Sequence, residues 1–442
     1  MLLRLLIKNF LSFDDEMQFD MFPNNKRTSL ASHIYTGNSV PVLKQAVIYG
    51  PNGAGKSNVV KAMEFIKAFA INKSFLQNIE VDKFFYRLKP DFDKSPISLL
   101  IEFENNKKCF IYSIEIGIKE IKQEMLCESF PHEGKVHVIY NREGNKIEFA
   151  EGFKVDEAIL NATHKLIRKN PLSSVMALNK EFPIIQDMRC YMAASWFEKK
   201  LEIIGVNSII PALIDLLRTN EKMMEFSKEL VPSLAVGVQD INVLDEDFEL
   251  WAQHHIQLAS ALPEGLDKIK NLSLNTNNTP VLSIQAENGA KKVYQLMFEH
   301  LGKNGFTGSL DASSQSDGTI RALTLLPALY FASKIGKTVF IDEINCCLSS
   351  TMVKGIVSYF ANTESTNGQL IFTTHDNQLL DEKNLLRSDE VWFVDKKGGA
   401  SILYSHNDFK EHHTISMMRG YNEGRYGAIR FIDLTKKNGQ ES

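Results

Sequence analysis

The sequence predicts an α/β fold with a mostly parallel core sheet, peripheral antiparallel β-strands and a helical insertion. Three strand-like runs of apolar residues carry this prediction, and they end at Tyr49, Glu343 and His375. Each run is continuously apolar rather than alternating, which is typical of strands buried on both faces of a parallel sheet. Predicted helices lie between the runs, as the connections between parallel strands require.

The first of these strands leads into a glycine-rich turn and then into a predicted helix. Residues 47–57 read Val-Ile-Tyr-Gly-Pro-Asn-Gly-Ala-Gly-Lys-Ser, with the pattern G-x-x-x-x-G-K-S. Glycines let successive backbone N–H groups point at a phosphate chain, and the helix N-terminus adds partial positive charge. The lysine of this pattern reaches the β- and γ-phosphates, and the serine hydroxyl binds Mg²⁺. We predict that ATP is bound by Gly50, Asn52, Gly53, Gly55, Lys56, Ser57 and Asn58.

The other two apolar strands end in residues that suit nucleotide hydrolysis. Asp342 fits a Mg²⁺ carboxylate ligand opposite Ser57, and Glu343 is placed to accept a proton from the attacking water or to orient it. An acidic pair at this position is also a common helix N-cap, which is the structural alternative. His375 closes the next strand, where it can contact the γ-phosphate and respond to its loss.

A short polar turn precedes the apolar helix that leads to the acidic strand. It consists of Ser316, Asp317, Gly318 and Thr319, and we call it the signature turn. A helix N-terminus behind such a turn is a second anion site by the same dipole argument. Taken in isolation, these four residues are equally consistent with a simple helix cap.

The bulk composition predicts a cytoplasmic protein with no membrane segment. The chain of 442 residues is 44% hydrophobic and 24% charged, with a net charge of −4. No stretch approaches the roughly 18 apolar residues that span a bilayer, and Arg4 and Lys8 interrupt any signal-peptide pattern. The charge argues against a protein coated in nucleic acid but leaves a local DNA contact open. The five cysteines show no C-x-x-C pair, so neither a zinc site nor a disulfide framework is expected: they are Cys109, Cys127, Cys190, Cys346 and Cys347.

The periodicity of apolar residues divides the chain into three segments. Residues 1–154 contain the phosphate loop and a series of alternating, antiparallel-type strands between 97 and 149. Residues 155–232 change to helical spacing and are predicted to be a helical insertion. Residues 233–442 return to strands and hold the signature turn, the acidic pair and His375.

The order of these motifs resembles the ABC/SMC/RecF/OLD group of ATPases. More narrowly, it resembles the AAA-type bacterial ATPases of abortive-infection and anti-phage systems, including the ATPase subunits of AbiL/RloAB-type and PARIS-type systems. The resemblance implies a P-loop NTPase of the ABC-ATPase type. The matching residues are Lys8-Asn9-Phe10 with Ser12-Phe13, 46–58, 316–319 with Arg321, 340–344, 372–376 and the tail segment 424–429. Residues 345–350, Asn-Cys-Cys-Leu-Ser-Ser, depart from the acidic residue and S-L-H-P run of the group.

The resemblance also implies a mechanism. In such proteins two ATP molecules lie between two heads, so Ser316, Asp317 and Gly318 of one subunit would complete the site of its partner. It therefore implies ATP and Mg²⁺ as cofactors, a homodimer or higher homo-oligomer, and slow, regulatory ATP hydrolysis. A separate effector protein, a nuclease or toxin, is the implied partner in anti-phage defence. Two alternatives stay open: a DNA-repair or DNA-binding ATPase of the RecF or SMC kind, and a weakly hydrolysing, nucleotide-dependent scaffold.

Overall fold

The computed structural model describes most of the chain. The described residues are 1–149, 157–182, 185–206, 213–234, 236–260, 262, 271–276, 279–287, 290–363, 367–382, 384–409 and 416–429.

The strands are numbered in chain order. They are β1 (Leu2–Lys8), β2 (Met17–Asp20), β3 (Ile34–Tyr35), β4 (Val42–Leu43), β5 (Gln45–Tyr49), β6 (Ile97–Asn105), β7 (Lys108–Ile116), β8 (Ile121–Phe130), β9 (Lys135–Glu143), β10 (Lys146–Phe149), β11 (Leu201–Ile204), β12 (Val238–Asp247), β13 (Asn271–Thr276), β14 (Thr279–Glu287), β15 (Ala290–Leu301), β16 (Thr307–Asp311), β17 (Thr338–Ile341), β18 (Gln369–Thr374), β19 (Val391–Lys397) and β20 (Ala400–Ser405).

The α-helices are numbered in the same way. They are α1 (Lys56–Ile71), α2 (Glu157–Lys169), α3 (Val175–Glu181), α4 (Met188–Ser195), α5 (Leu213–Thr219), α6 (Glu221–Leu230), α7 (Phe248–His254), α8 (Ile256–Ser260), α9 (Asp317–Tyr330), α10 (Ser350–Asn362) and α11 (Met417–Asn422).

The core sheet has six strands in the order β11-β17-β18-β5-β19-β20. Its first five strands run parallel and β20 is antiparallel to β19, which confirms the predicted mixed α/β fold with a mostly parallel core. Every residue of β5, β17 and β18 is buried. Full burial of a Val, Leu, Ile or Phe side chain contributes about 1.5–3 kcal/mol, so these runs stabilise the sheet strongly. The order places β18 between β17 and β5, and hence His375 between the acidic pair and the phosphate loop.

A seven-stranded antiparallel sheet with the order β10-β9-β8-β7-β6-β1-β2 lies beside the core sheet. It contains the hairpins predicted from the alternating runs between 97 and 149. The side chain of Gln369 joins the two sheets, because its Oε1 accepts from the Leu2 N–H at 2.6 Å and from the Thr338 hydroxyl at 2.9 Å. Its Nε2 donates to the Leu2 carbonyl at 3.0 Å. One buried amide therefore ties the peripheral sheet to two core strands.

A third sheet, also antiparallel, has the order β12-β15-β14-β13, with β16 paired to β15. The sequence indicates strand only over residues 281–294 of this region, so most of this sheet is a finding of the structure. Helix α7 contributes the fully buried Trp251 to a small apolar cluster on the sheet. The sheet leads through β16 directly into the signature turn.

The division into three segments stays a prediction. Its boundary near residue 154 falls outside the described residues, and helices α2 to α6 lie in the middle segment as expected. That segment also holds β11, which pairs in parallel with β17 and forms one edge of the core sheet. Within the described residues, no helix is both long and apolar enough to cross a membrane.

Helix α11 and the tail segment pack on β19 and β5, and β5 leads into the phosphate loop. The Phe393 ring stacks on Tyr421, with centroids 5.7 Å apart, and on Tyr426 at 5.6 Å. Tyr49, the last residue of β5, lies 5.9 Å from Tyr421. A Cβ on Gly420 would come within 2.3 Å of the Tyr426 hydroxyl, so only glycine allows this close approach.

Candidate nucleotide site

The phosphate loop connects β5 to α1, and glycine is required at several of its positions. Gly53 and Gly55 have φ angles of 77° and 117°, in the left-handed region that glycine adopts without steric cost. A Cβ on Gly50 would lie 2.3 Å from the carbonyl oxygen of Val394. The loop is therefore packed directly against β19, and its curvature depends on residues without side chains.

Two serines hold the rear of the phosphate loop. The Ser12 Oγ accepts from Asn58 Nδ2 at 2.7 Å and is hydrogen-bonded to Ser401 Oγ at 2.7 Å. A Cβ on Gly55 would come within 2.4 Å of Ser401 Oγ and 2.6 Å of Ser12 Oγ. The Ser401 hydroxyl also hydrogen-bonds the carbonyl of Ala54. Segments from both ends of the chain thus fix the loop from behind.

Lys56 is buried and its ammonium group faces backbone carbonyls of its own loop. Its Nζ donates to the Gly50 oxygen at 2.9 Å and to the Pro51 oxygen at 3.4 Å. Burial lowers the pKa of Lys56, while the charges of Glu343 and Asp342 raise it in part. A buried cation held only by neutral carbonyls and nearby carboxylates is placed to gain strongly from a polyanionic ligand.

Thr373 holds both members of the acidic pair. Its hydroxyl donates to Asp342 Oδ1 at 2.5 Å and accepts from the Glu343 N–H at 2.7 Å. Asp342 is buried, whereas Glu343 is partly exposed. Glu343 has a φ of 45°, which is a strained backbone conformation for a residue with a side chain. The backbone therefore turns sharply after β17, at Glu343, the second residue of the acidic pair.

His375 is exposed at the end of β18 and lies against Asn345. The Asn345 amide nitrogen is 3.1 Å from His375 Nε2, and its Oδ1 accepts from the Thr374 hydroxyl at 2.8 Å. Asn345 belongs to the segment that departs from the resembled group. In this chain it connects the loop after the acidic pair to the histidine strand.

The signature turn is exposed at Ser316 and Asp317. Ser316 caps α9, since its Oγ accepts from the Thr319 N–H at 3.2 Å. The helix-cap interpretation of this turn is therefore correct, and it is compatible with an anion site because the exposed side of the turn is open. A Cβ on Gly318 would lie 2.9 Å from the Cys347 carbonyl oxygen. The turn thus touches the loop after the acidic pair within the same chain.

Arg321, one turn into α9, connects the signature helix to the acidic pair. Its guanidinium donates to the carbonyl oxygens of Asp342 at 3.2 Å and Glu343 at 3.4 Å. The same group donates to the Val206 oxygen at 3.3 Å. Arg321 is buried, and burial lowers its pKa. A movement of α9 would therefore act on the backbone of the acidic pair.

The residues at this site fit ATP and Mg²⁺. Ser57 and Asp342 offer hydroxyl and carboxylate oxygens, the hard ligands that Mg²⁺ prefers. In the described part of the chain, no group of three or more His, Cys, Asp or Glu could by itself hold a metal ion. When bound, Mg²⁺ supplies charge neutralisation at the β- and γ-phosphates.

The fold and the site together define a class: a nucleotide-binding ATPase with a phosphate loop on a mostly parallel sheet. The chain belongs to the family described as "AAA domain, putative AbiEii toxin, Type IV TA system", whose model matches residues 46–159 and 228–381, more than half of the chain. The match includes the phosphate loop, the signature turn, the acidic pair and His375. No curated protein matches the chain.

Several solved structures are similar to the chain at low sequence identity. The SMC head domain from Thermotoga maritima is 13% identical, with a TM-score of 0.40, and the match covers 91% of this chain and 98% of that chain. An SmcHead bound to the C-winged helix domain of ScpA is 12% identical, with a TM-score of 0.44, and the match covers 91% of this chain and 97% of that chain. An Smc head domain with an extended coiled coil, bound to the C-terminal domain of ScpA derived from Pyrococcus furiosus, is 13% identical, with a TM-score of 0.37 and coverage of 96% and 98%.

Several residues of the site are not identified as functional by the sequence. Thr373 lies within the matching residues 372–376 but is given no role of its own there, and Ser401 is given none either. The signal for Thr373 is its position directly across from the acidic pair, which becomes visible once β17 and β18 are known to be neighbours. The assignment of ligand-contacting roles to individual residues stays a prediction.

Proposed function

We propose that this chain is an ATP-hydrolysing conformational switch that acts in anti-phage defence by controlling a separate effector, a nuclease or a toxin. Lys56 would bind the β- and γ-phosphates, and Ser57 and Asp342 would hold Mg²⁺. Glu343 would orient the attacking water and accept its proton, and His375 would contact the γ-phosphate. The signature turn of a second copy would complete the site, so ATP would join the subunits and hydrolysis would release them.

The observation that carries the proposal is the contact of Arg321 with the carbonyls of Asp342 and Glu343. Arg321 lies on the helix that begins at the signature turn. A phosphate bound to that turn from the partner's site would shift or fix α9, and Arg321 would pass this to the acidic pair. Binding in one site would in this way govern hydrolysis in the other, as a switch needs.

The defence role is supported by the description of the matched family, which names a putative toxin and a toxin–antitoxin system. In this proposal one component, this chain, would respond to infection, and a second component would harm the cell. The sensing role of this chain is our inference from its resemblance to the ATPase subunits of anti-phage systems. The effector would then be encoded beside it.

The switch is tested by two variants with matched controls. Lys56→Ala should abolish nucleotide binding, because Lys56 is the buried cation of the loop; the exposed Lys61→Ala on α1 should bind normally. Glu343→Gln should still bind ATP but hydrolyse it about 10²–10⁴ times more slowly, and should accumulate as an ATP-bound oligomer. Glu382→Gln, an exposed acid in the segment after β18, is its control. Unchanged turnover in Glu343→Gln would show that another group is the base.

The defence role is tested in cells. A bacterial strain carrying the gene with its neighbours should restrict phage plating, and Lys56→Ala and Glu343→Gln should both remove the protection. Expression of the chain without its neighbours should leave growth unaffected. ATP turnover that rises with DNA and falls steeply with salt would instead favour the DNA-binding ATPase. Nucleotide binding without measurable turnover in the unmodified chain would favour the scaffold.

A further inference from the structure

Two adjacent cysteines lie in the loop between the acidic pair and α10. Cys346 is partly buried and Cys347 is exposed, and their Sγ atoms are 3.7 Å apart. Both are free thiols, as are Cys109, Cys127 and Cys190, which are buried. The pair is therefore the accessible dithiol among the cysteines of the chain.

The loop that carries this dithiol touches the proposed catalytic parts. The Cys346 N–H donates to the Glu343 carbonyl at 2.9 Å. The Cys347 carbonyl oxygen is 2.9 Å from the position a Cβ on Gly318 would take, and Cys347 has a φ of 59°. A change in the backbone of these two residues would consequently reach both Glu343 and the signature turn.

We propose that the Cys346–Cys347 dithiol is a modification site for low-molecular-weight disulfides of the glutathione disulfide type, and that its oxidation stops ATP turnover. The second part of this inference rests on the function proposed above. It adds to that function a class of small molecule that would regulate the same site.

The chemistry is a two-step thiol–disulfide exchange. The Cys347 thiolate attacks one sulfur of the small disulfide, forming a mixed disulfide and releasing one thiolate. The Cys346 sulfur then loses its proton, attacks Cys347 Sγ and displaces the second thiol. Two cysteine thiols are thereby oxidised by two electrons to one disulfide, and the small disulfide is reduced to two thiols.

The environment of the two thiols fits these roles. Burial raises the pKa of the Cys346 thiol, which suits it to the second, intramolecular step rather than the first. Cα atoms joined by a trans peptide are about 3.8 Å apart, below the usual disulfide range of about 4.4–6.8 Å. A bridge between neighbours is therefore strained and easily reduced, which makes the modification reversible.

Ring closure would disturb the site. The two sulfurs must move from 3.7 Å to a bond length of about 2.05 Å, so the backbone between them must rotate. This backbone is hydrogen-bonded to the Glu343 carbonyl and packed on Gly318. A misplacement of about 1 Å at a catalytic group lowers turnover by about a hundredfold. Lys56 and the phosphate loop belong to the connection between β5 and α1, not to the loop that carries the cysteines, so nucleotide binding should persist.

The test uses the purified, fully reduced chain treated with glutathione disulfide. Intact mass and thiol alkylation of the folded protein report the chemistry, a fluorescent ATP analogue reports binding, and phosphate release reports turnover. We expect the loss of two hydrogens at Cys346 and Cys347, an affinity unchanged within about twofold, and turnover lowered about a hundredfold. Dithiothreitol should restore turnover.

The variants separate a bridge from a simple adduct. Cys346→Ser should take up one glutathione on Cys347 and form no bridge, and the double variant Cys346→Ser/Cys347→Ser should be insensitive to the reagent in all three measurements. A chain that turns over ATP but keeps both thiols under treatment, or is bridged with turnover intact, would refute this inference alone. An untreated chain with no turnover would refute the proposed function and, with it, the inhibitory consequence.

Discussion

Two buried clusters of charged residues in this molecule are built in opposite ways. In the peripheral sheet, the fully buried carboxylate of Glu124 accepts from the hydroxyls of Tyr112 at 2.9 Å and Tyr140 at 3.0 Å. It also accepts from the Val175 N–H at 2.8 Å, and the Arg142 guanidinium lies 3.7 Å away. The fold itself thus supplies three hydrogen-bond donors and a nearby guanidinium to this carboxylate.

The core sheet has the contrasting cluster. The Lys56 ammonium contacts two loop carbonyls, the nearer at 2.9 Å. The acidic pair near it relies on one threonine hydroxyl, and Glu343 sits on strained backbone. We call the Glu124 cluster saturated, because several donors of the fold contact its carboxylate, and the Lys56 cluster unsaturated. A saturated cluster joins elements of the fold, and binding of a ligand by the unsaturated one stays a prediction.

The largest expected effect is on the saturated cluster. Glu124→Ala should lower the free energy of unfolding by about 3–5 kcal/mol, because Arg142 and two tyrosine hydroxyls lose a buried partner. Urea denaturation of the variant and the unmodified chain measures this. ATP turnover per folded molecule should not change. A loss of turnover without a loss of stability would show that the peripheral cluster serves the site directly.

The same residue gives a pH prediction. Burial raises the pKa of Glu124, while Arg142 and the hydrogen bonds lower it in part. The folded state then binds this proton more tightly than the unfolded chain, so the free energy of unfolding decreases as pH rises above about 4.5. Glu124→Gln cannot titrate, and its stability should decrease less over this range. Parallel curves for the two proteins would contradict a raised pKa at Glu124.

A smaller effect is expected from a steric clash in the phosphate loop, which belongs to the unsaturated cluster. Gly50→Ala puts a methyl group 2.3 Å from the Val394 carbonyl oxygen, and overpacking of this kind costs about 1–3 kcal/mol. We expect the dissociation constant for ATP to rise by about ten- to a hundredfold, measured by titration with a fluorescent analogue. Gly37→Ala is the control, since a Cβ there meets nothing within 4 Å.

Thr373→Val should weaken turnover rather than binding. The variant removes the hydroxyl that holds Asp342 and the Glu343 N–H, at a cost of about 1–2 kcal/mol, or about tenfold in kcat. Thr338→Val is the matched control, because its buried hydroxyl bonds Gln369 at the opposite end of β17. Equal losses of turnover in both variants would point to general destabilisation.

The smallest effect is expected at Asn345. Asn345→Ala removes the contacts with the exposed His375 and the buried Thr374, and should lower kcat by about threefold. Steady-state phosphate release measures the change. Asn362→Ala, which loses only contacts with Ser358 within α10, should behave as the unmodified chain.

The sequence predicts those features of the candidate site that depend on a local pattern of residues. The glycines of the phosphate loop, the acidic pair and His375 each follow a continuously apolar strand, so their positions at one edge of the sheet follow from the run of the chain. The signature turn is predicted through the resemblance, and its role stays a prediction. The structure adds Thr373 and the contacts of Arg321 with two carbonyls, which depend on strand order and on helix placement rather than on spacing.

The third sheet shows why other strands of the fold could not be predicted from the sequence. β12 carries Asp240, Asp245 and Asp247 among its residues, and acidic side chains favour turns and caps over strands. β12 becomes a strand because β15, about fifty residues later, supplies a long antiparallel partner. Likewise β11 is only four residues long and is fixed by pairing with β17. Pairing between distant segments leaves little trace in local composition.

The aromatic stack around α11 connects the strand before the phosphate loop to the turn after His375. Tyr421 touches Tyr49, the residue before Gly50, and the Asn422 side chain accepts from Asn377 Nδ2 at 2.7 Å, two residues beyond His375. Gly420 and Gly427 allow close packing against the tyrosine rings, because a methyl group on either would collide with a tyrosine. A displacement of α11 would therefore act both on the last residue of β5, next to the phosphate loop, and on the turn that follows His375.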